Sequence, residues 1–195
     1  MSFGQGLEGV PGVTLNPAAT IKTFTPEGLS EEMEHHVDGV IGAEILRTQT
    51  LTIDPTEYTV SIVEFSTLSG LGVPLRDQLN VPIVDVEFYG QTIPTIFDTG
   101  AWLGYVPRAI TEGLQPVRTA QDFYPLYGKF RCDVYEIPIR IGNWNTVLDF
   151  GVLPYVIEQA HHEQGFTTIV GLGLLNEYKI SISLKVPRMR LLPLH

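Results

Sequence analysis

The sequence has one cysteine, Cys132, in 195 residues. No disulfide can form within the chain, and a disulfide-stapled secreted scaffold is excluded. Positive charge is scarce: 12 Lys and Arg stand against 22 Asp and Glu, a net charge of -10. The basic residues form no stripe, so the electrostatic term on which nucleic-acid binding mostly relies is missing and no nucleic-acid partner is expected. Long apolar runs are also missing; each is interrupted within about ten residues, too short to cross a bilayer. The N-terminus does not have the basic-then-apolar layout of a signal peptide. No membrane partner is expected, and a soluble chain in the cytoplasm is the favoured expectation. Uninterrupted helical periodicity is lacking as well, because 19 Gly and 14 Pro are spread along the chain. Short strands joined by turns are the expected result.

What is present suits a folded protein: 44% of residues are hydrophobic and 17% charged, a balance that does not suggest disorder. The length allows one or two domains. An internal repeat organises them. Residues 40–54 (VIGAEILRTQTLTID) align without a gap with residues 169–183 (IVGLGLLNEYKISIS). Both read as two β-branched residues, a Gly, a Leu-containing turn and an alternating strand. Upstream, Glu32-Met33-Glu34-His35-His36 matches Glu158-Gln159-Ala160-His161-His162 once a three-residue insertion is allowed. The second copy has a long lead-in with alternating segments at 83–89, 92–97 and 134–141 and turn signals at Tyr89-Gly90 and Gly142-Asn143. The first copy has only about thirty residues before its block, so projecting Asp98 back by the repeat offset lands upstream of Met1. Residues 1–65 therefore read as a partial repeat, 66–80 as a polar linker and 81–195 as a complete unit, with residues 1–24 an arm or edge strand. Short helices are expected near Pro26–His36, with Thr25 as N-cap, and near Pro154–His162.

Chemistry concentrates at Asp98-Thr99-Gly100. A strand, a tight turn and a second strand deliver Asp98 at a strand end, where Gly100 lets backbone amides point at a carboxylate. Asp98-Thr99-Gly100-Ala101 is followed at matching spacing by Tyr105-Val106-Pro107, then by a hairpin opening at Tyr127-Gly128 and ending at Ile141-Gly142. Phe150-Gly151-Val152 and Ile169-Val170-Gly171-Leu172-Gly173 complete the set. In this order the motifs resemble a lobe of the pepsin and retropepsin families, and Val37-Asp38-Gly39-Val40-Ile41-Gly42 resembles the last landmark of a neighbouring lobe. The resemblance implies a mostly β fold, an aspartic-peptidase-type β-barrel lobe with few short helices, preceded by a partial second lobe. It implies hydrolysis of peptide bonds in a polypeptide substrate by water activated between two carboxylates that share a proton. Asp98 would supply one of them, Thr99 and Gly100 its supports, and Tyr127 with Gly128 a flap over the substrate. No cofactor is implied.

A working site of this kind needs two Asp-Thr-Gly motifs, and the chain has one. A homodimer or a missing complementary lobe could supply the second, or the lobe could serve as an inactive binding or assembly module. Plainer readings stand beside these. Asp98 could cap its own turn, and Tyr127 could be an ordinary half-buried strand aromatic. The two Glu-x-x-His-His clusters resemble di-iron ligands, but the Pro and Gly content refuses the long helices such sites need, and no metal is expected. Cys132 reads as a small strand hydrophobe. Gly171-x-Gly173 lacks the third Gly and the downstream acid of a dinucleotide loop.

Overall fold

The computed structural model describes residues 25–38, 41–64, 72–78, 81–124 and 127–194; the expected N-terminal arm or edge strand lies outside them. In chain order they form α1 (Pro26–Met33), a 3-10 turn at Ala43–Arg47, β1 (Gln49–Asp54), β2 (Thr59–Glu64), β3 (Val73–Gln78), β4 (Val81–Phe88), β5 (Gln91–Phe97) and β6 (Gly104–Tyr105). Next come β7 (Arg118–Tyr124), β8 (Gly128–Ile141), β9 (Trp144–Gly151), α2 (Tyr155–Glu163), β10 (Ile169–Val170), a 3-10 turn at Leu172–Asn176, β11 (Tyr178–Ser183) and β12 (Arg188–Pro193). The protein is mostly β, as composition and turn content implied. The strands run β2-β1-β11-β12-β3-β4-β5-β10-β6-β9-β8-β7, and a further pairing of β4 with β8 closes the part from β4 to β8 into a ring.

Local chemistry accounts for the elements. Thr25 Oγ1 accepts from Gly28 N at 3.2 Å and Pro26 opens α1, so the helix begins where a cap and a preset φ coincide. It stops at Glu34, which takes a left-handed conformation. Tyr89 and Gly90 both have positive φ, the two-residue turn that matches strand twist, and join β4 to β5. Of the stretch expected to be a linker, residues 73–78 are instead a strand. Val73 and Leu75 alternate inward there, and the strand bridges β12 and β4.

Two apolar clusters fill the molecule. The larger contains Val84, Val86 and Phe88 of β4, Ile180 and Ile182 of β11, and Met189 and Leu191 of β12; the smaller contains Phe130, Cys132, Val134, Ile157 and Phe166. The strands between them are buried on both faces: Ile96, Tyr105 and Ile169 point into the smaller cluster, while Phe97, Val106 and Val170 point into the larger. Such strands read as continuous apolar runs rather than alternating ones. The long strand β8 serves both clusters from opposite faces, with Phe130, Cys132 and Val134 on one side and Ile137, Ile139 and Ile141 on the other.

The repeat is more regular in space than in sequence. Helix, 3-10 turn and two strands of the first copy begin at Pro26, Ala43, Gln49 and Thr59, and those of the second at Tyr155, Leu172, Tyr178 and Arg188, at one constant separation. The three-residue insertion expected upstream is absent: the helices start in register, and the His pairs are not counterparts. His161 and His162 lie in the last turn of α2, whereas His35 and His36 come after α1. Strands β1 and β11 pair antiparallel with Leu51 opposite Ile182, Thr52 opposite Ser181 and Ile53 opposite Ile180. This register is that of a local two-fold axis. Thr52 and Ser181 are counterparts, 129 residues apart, and their hydroxyls hydrogen-bond to each other at 2.8 Å.

Candidate active site

Strand β5 ends at Phe97, and the buried Ile96 and Phe97 anchor the loop that begins at Asp98. Asp98 N donates to Val170 O at 3.0 Å, and Ala101 N donates to Asp98 O at 3.2 Å, so residues 98–101 make a tight bend. Gly100 N donates to Asp98 Oδ1 at 2.8 Å. A Cβ on residue 100 would come within 3.1 Å of that same oxygen, which favours glycine at this point of the bend. Asp98, Thr99 and Gly100 are all exposed. The carboxylate is therefore held by its own loop at the end of a strand buried on both faces, and it faces outward.

The loop is locked from beneath. Strand β10 lies between β5 and β6, parallel to the first and antiparallel to the second, so a distant part of the chain threads between the two arms of the Asp98 loop. Ile96 N donates to Thr168 O at 2.9 Å on one arm, and Leu172 N donates to Ala101 O at 2.9 Å at the bend. A Cβ on Gly171 would sit 2.4 Å from Ala101 O and 2.6 Å from Leu103 O, so only glycine admits this crossing. This is the apolar-apolar-Gly strand beside the Asp loop that the motifs called for. The fold is of the aspartic-peptidase type.

Similar solved structures include viral proteases. The solution structure of simian foamy virus (mac) protease is 19% identical, with 46% of this chain and 87% of that chain covered, at a TM-score of 0.35. A foamy viral protease-reverse transcriptase in complex with an RNA/DNA hybrid is 16% identical over 51% of this chain, at a TM-score of 0.40; the match spans 12% of that longer protein. No protein-family model and no curated protein matches the sequence.

At the open end of the β7–β8 hairpin, Tyr127 N donates to Tyr124 O at 3.0 Å and Gly128 has a φ of 92°. Tyr127-Gly128 is thus the tip itself, with the first arm, β7, already behind it. Tyr127 is 48% exposed, sets its ring edge-on to Phe130 at 6.1 Å, and lines a cleft of about 480 Å³. That cleft also takes in Arg108, Lys129 and Arg131, and Asp98 is not among its walls. Tyr124 ends β7 at the other side of the tip. Burial first, and the negative charge of Asp98 second, hold its phenol above the ordinary value. Its hydroxyl is 2.7 Å from His161 Nε2 on α2. Sequence reasoning passed over Tyr124, although a second aromatic just before Pro125 on a hairpin beside an Asp loop was a usable signal.

Other groups tie the loop to its surroundings. Tyr105, on the exit arm, donates its hydroxyl to Asp122 of β7, and Asp122 Oδ1 accepts from Phe123 N at 2.7 Å. Burial, and then Asp122, push the Tyr105 phenol far above its usual range, so it stays a donor. Trp102 is 54% exposed and carries the Arg118 guanidinium 5.4 Å from its ring centre, while Arg118 pairs with Asp149 at 2.7 Å. Cys132 is buried between the strands, and burial pushes its thiol up to about 11, which suits a strand hydrophobe better than a nucleophile. Of the Glu-His clusters, His36 pairs with Asp38 at 3.0 Å and His161 with Tyr124. Among the described residues no three His, Cys, Asp or Glu come together as a metal site. None of the described helices is long and apolar enough to cross a membrane.

Proposed function

We propose that the chain is the Asp-bearing part of an aspartic endopeptidase, with Asp98 as one of two carboxylates that activate water against a peptide carbonyl. The observation that carries this reading is the threaded Asp98 loop. The backbone at Gly171 crosses under the bend, and the carboxylate points away from the core; Gly100 N donates to the carboxylate, and Asp98 N donates to Val170 O to hold the backbone beneath it. A carboxylate placed this way can face a second one across an interface. Two carboxylates within about 3 Å share a proton, so one accepts the proton of water while the other donates to the carbonyl oxygen. Thr99 and Gly100 support the loop. Tyr127 and Gly128 would form a flap over an extended polypeptide, and Tyr124, held by His161, would set the flap's height above Asp98.

A non-catalytic binding or assembly module is the second reading. It is favoured by the exposure of Asp98 and by the fact that its carboxylate accepts from its own loop, as a turn-capping Asp does. Cleavage of an unfolded protein separates the two, assayed across roughly pH 3 to 7, the range in which shared-proton carboxylates work. The full chain is tested at low and at high concentration, the latter to let two copies bring their Asp-Thr-Gly motifs together. The expected result is cleavage that a statine-containing peptide blocks and that falls at least about 1,000-fold in Asp98→Asn. Cleavage that survives this substitution, or none in either condition, supports the binding module.

A further inference from the structure

Carboxylates outnumber cations in this chain, 22 Asp and Glu against 12 Lys and Arg, so a basic side chain has ample choice of partner. Arg47, Arg76, Arg118, Lys129, Arg140 and Lys179 each pair with an Asp or a Glu. Among the described residues, neither Arg108 nor Arg131 pairs with a carboxylate, and both are exposed. They come from separate elements, the 3-10 turn Arg108–Ile110 beyond the Asp98 loop and the strand β8, yet they line one cleft of about 480 Å³. That is the scale of a ligand pocket, and far more than an inorganic anion fills.

The other walls define what the arginines can hold. Lys129 also lines the cleft, but its charge is answered by Glu34 at 2.9 Å. Asp133 is the one carboxylate in the lining among the described residues, and no ion pair joins it to either arginine. Two guanidinium groups against one carboxylate leave the cleft positive on a protein whose net charge is -10. At physiological salt, exposed charges more than about 8 Å away are largely screened. The local sign therefore decides what enters, and the concave walls focus that field. Beside the charges lie Tyr127, which is 48% exposed, and the apolar Val152, Leu153 and Pro154. Tyr155 and Val156, the first residues of α2, are 70% and 67% exposed and carry apolar surface on from Pro154.

We infer that this cleft binds an acidic segment of a polypeptide, its carboxylates on Arg108 and Arg131 and a neighbouring apolar side chain against Tyr127 and Pro154. The planar guanidinium fork suits a carboxylate because it donates two parallel hydrogen bonds. An inorganic anion would use the arginines and leave the tyrosine and the proline edge without a role. Asp98 is not among the walls, so the bound segment is held apart from that carboxylate. The inference concerns binding and stands whether or not Asp98 is catalytic.

Fluorescence anisotropy on the full chain tests it, with a labelled peptide of alternating Glu and Leu as probe and the same peptide carrying Gln for every Glu as control. The Glu peptide should bind about tenfold more tightly than the Gln peptide, and its affinity should fall about fivefold between about 50 and about 500 mM salt. Arg108→Gln combined with Arg131→Gln should abolish the preference. Arg190→Gln, at an exposed position on β12, should leave it unchanged. Asp133→Asn should strengthen binding of the Glu peptide about threefold, a gain that a damaged fold does not mimic. Equal affinity for the two peptides, including none for either, would overturn the inference, as would a preference that survives loss of both arginines. No strengthening in Asp133→Asn would put the peptide elsewhere on the molecule and equally defeat it. Displacement of the Glu peptide by an equal concentration of inorganic phosphate would reduce the cleft to a simple anion site.

Discussion

Val170 is sealed under the Asp98 loop, whereas Ile41, at the same place in the other copy, is 38% exposed. Both come after a short helix, both precede a glycine and a 3-10 turn, and they lead into β1 and β11, which pair with each other. The local sequence plan is therefore sufficient to fold the helix, turn and two strands in either setting. Among the described residues, β5 and β6 flank the strand that holds Val170, and no strand pairs at Ile41. Secondary structure here is a local property, and burial is a property of the pair.

The sharpest way to break that comparison is at the two glycines. Gly171→Ala drives a methyl group into two backbone carbonyls that cannot swing aside, and should cost about 3 kcal/mol by urea denaturation. Gly42→Ala should change stability by less than about 0.5 kcal/mol. Equal costs at the two positions would mean that residue 42 is already crossed by backbone. Next in size, Val170→Ala removes buried methyl groups and should cost about 2 kcal/mol, against under about 0.5 kcal/mol for Ile41→Ala in the chain alone. A smaller effect is expected on the axis itself. Thr52→Val leaves Ser181 without its hydroxyl partner and should cost about 1 kcal/mol, while adding Ser181→Ala should recover much of the loss.

The smallest difference concerns the turns after β1 and β11. Asp54 Oδ1 accepts from Thr56 N at 3.0 Å and Asp54 Oδ2 from Lys179 Nζ at 2.6 Å; the counterpart Ser183 accepts from Val186 N at 3.4 Å and carries no charge. Lys179 first, and then the Thr56 hydroxyl, hold the Asp54 carboxyl well below the usual range. A depressed carboxyl stabilises the fold above its unfolded value of about 3.9, and that contribution fades as pH falls toward the folded value. Asp54→Asn should therefore lower stability at neutral pH and flatten the acid limb of a stability-pH curve. An unchanged acid limb would show that the pair with Lys179 does not persist in solution.

Much of this was legible in the residues. Gly90 readily takes the positive φ of its turn, Thr25 caps α1 through its hydroxyl and Pro26 presets the first helical φ, and β8 announces itself by alternation over most of its length. The Asp98 loop and its threading strand were also readable, because the close backbone approach that demands glycine at 171 and the bend that favours it at 100 both leave a mark in the sequence. Strand β3 was hidden, since only Val73 and Leu75 face inward and the rest of the segment is polar. The gapless register of the helices was obscured by Glu and His residues that match as letters but not as positions. Tyr124 was missed because its importance comes from α2, which brings His161 across 37 residues of sequence to meet it.

Strand β8 changes allegiance at Tyr135-Glu136, between Val134 in one cluster and Ile137 in the other. Its outer half, from Gly128, packs on the smaller core, pairs with β7 and is tied by Lys129 to Glu34 at the end of α1, and its inner half is embedded in the ring. Lifting the tip thus works like a lever with its fulcrum at 135–136. Because Tyr105 on the exit arm of the Asp98 loop is bonded to Asp122 of β7, and Ile96, Tyr105 and Ile169 share the smaller core with this half of β8, the height of the hairpin and the seating of Asp98 are coupled.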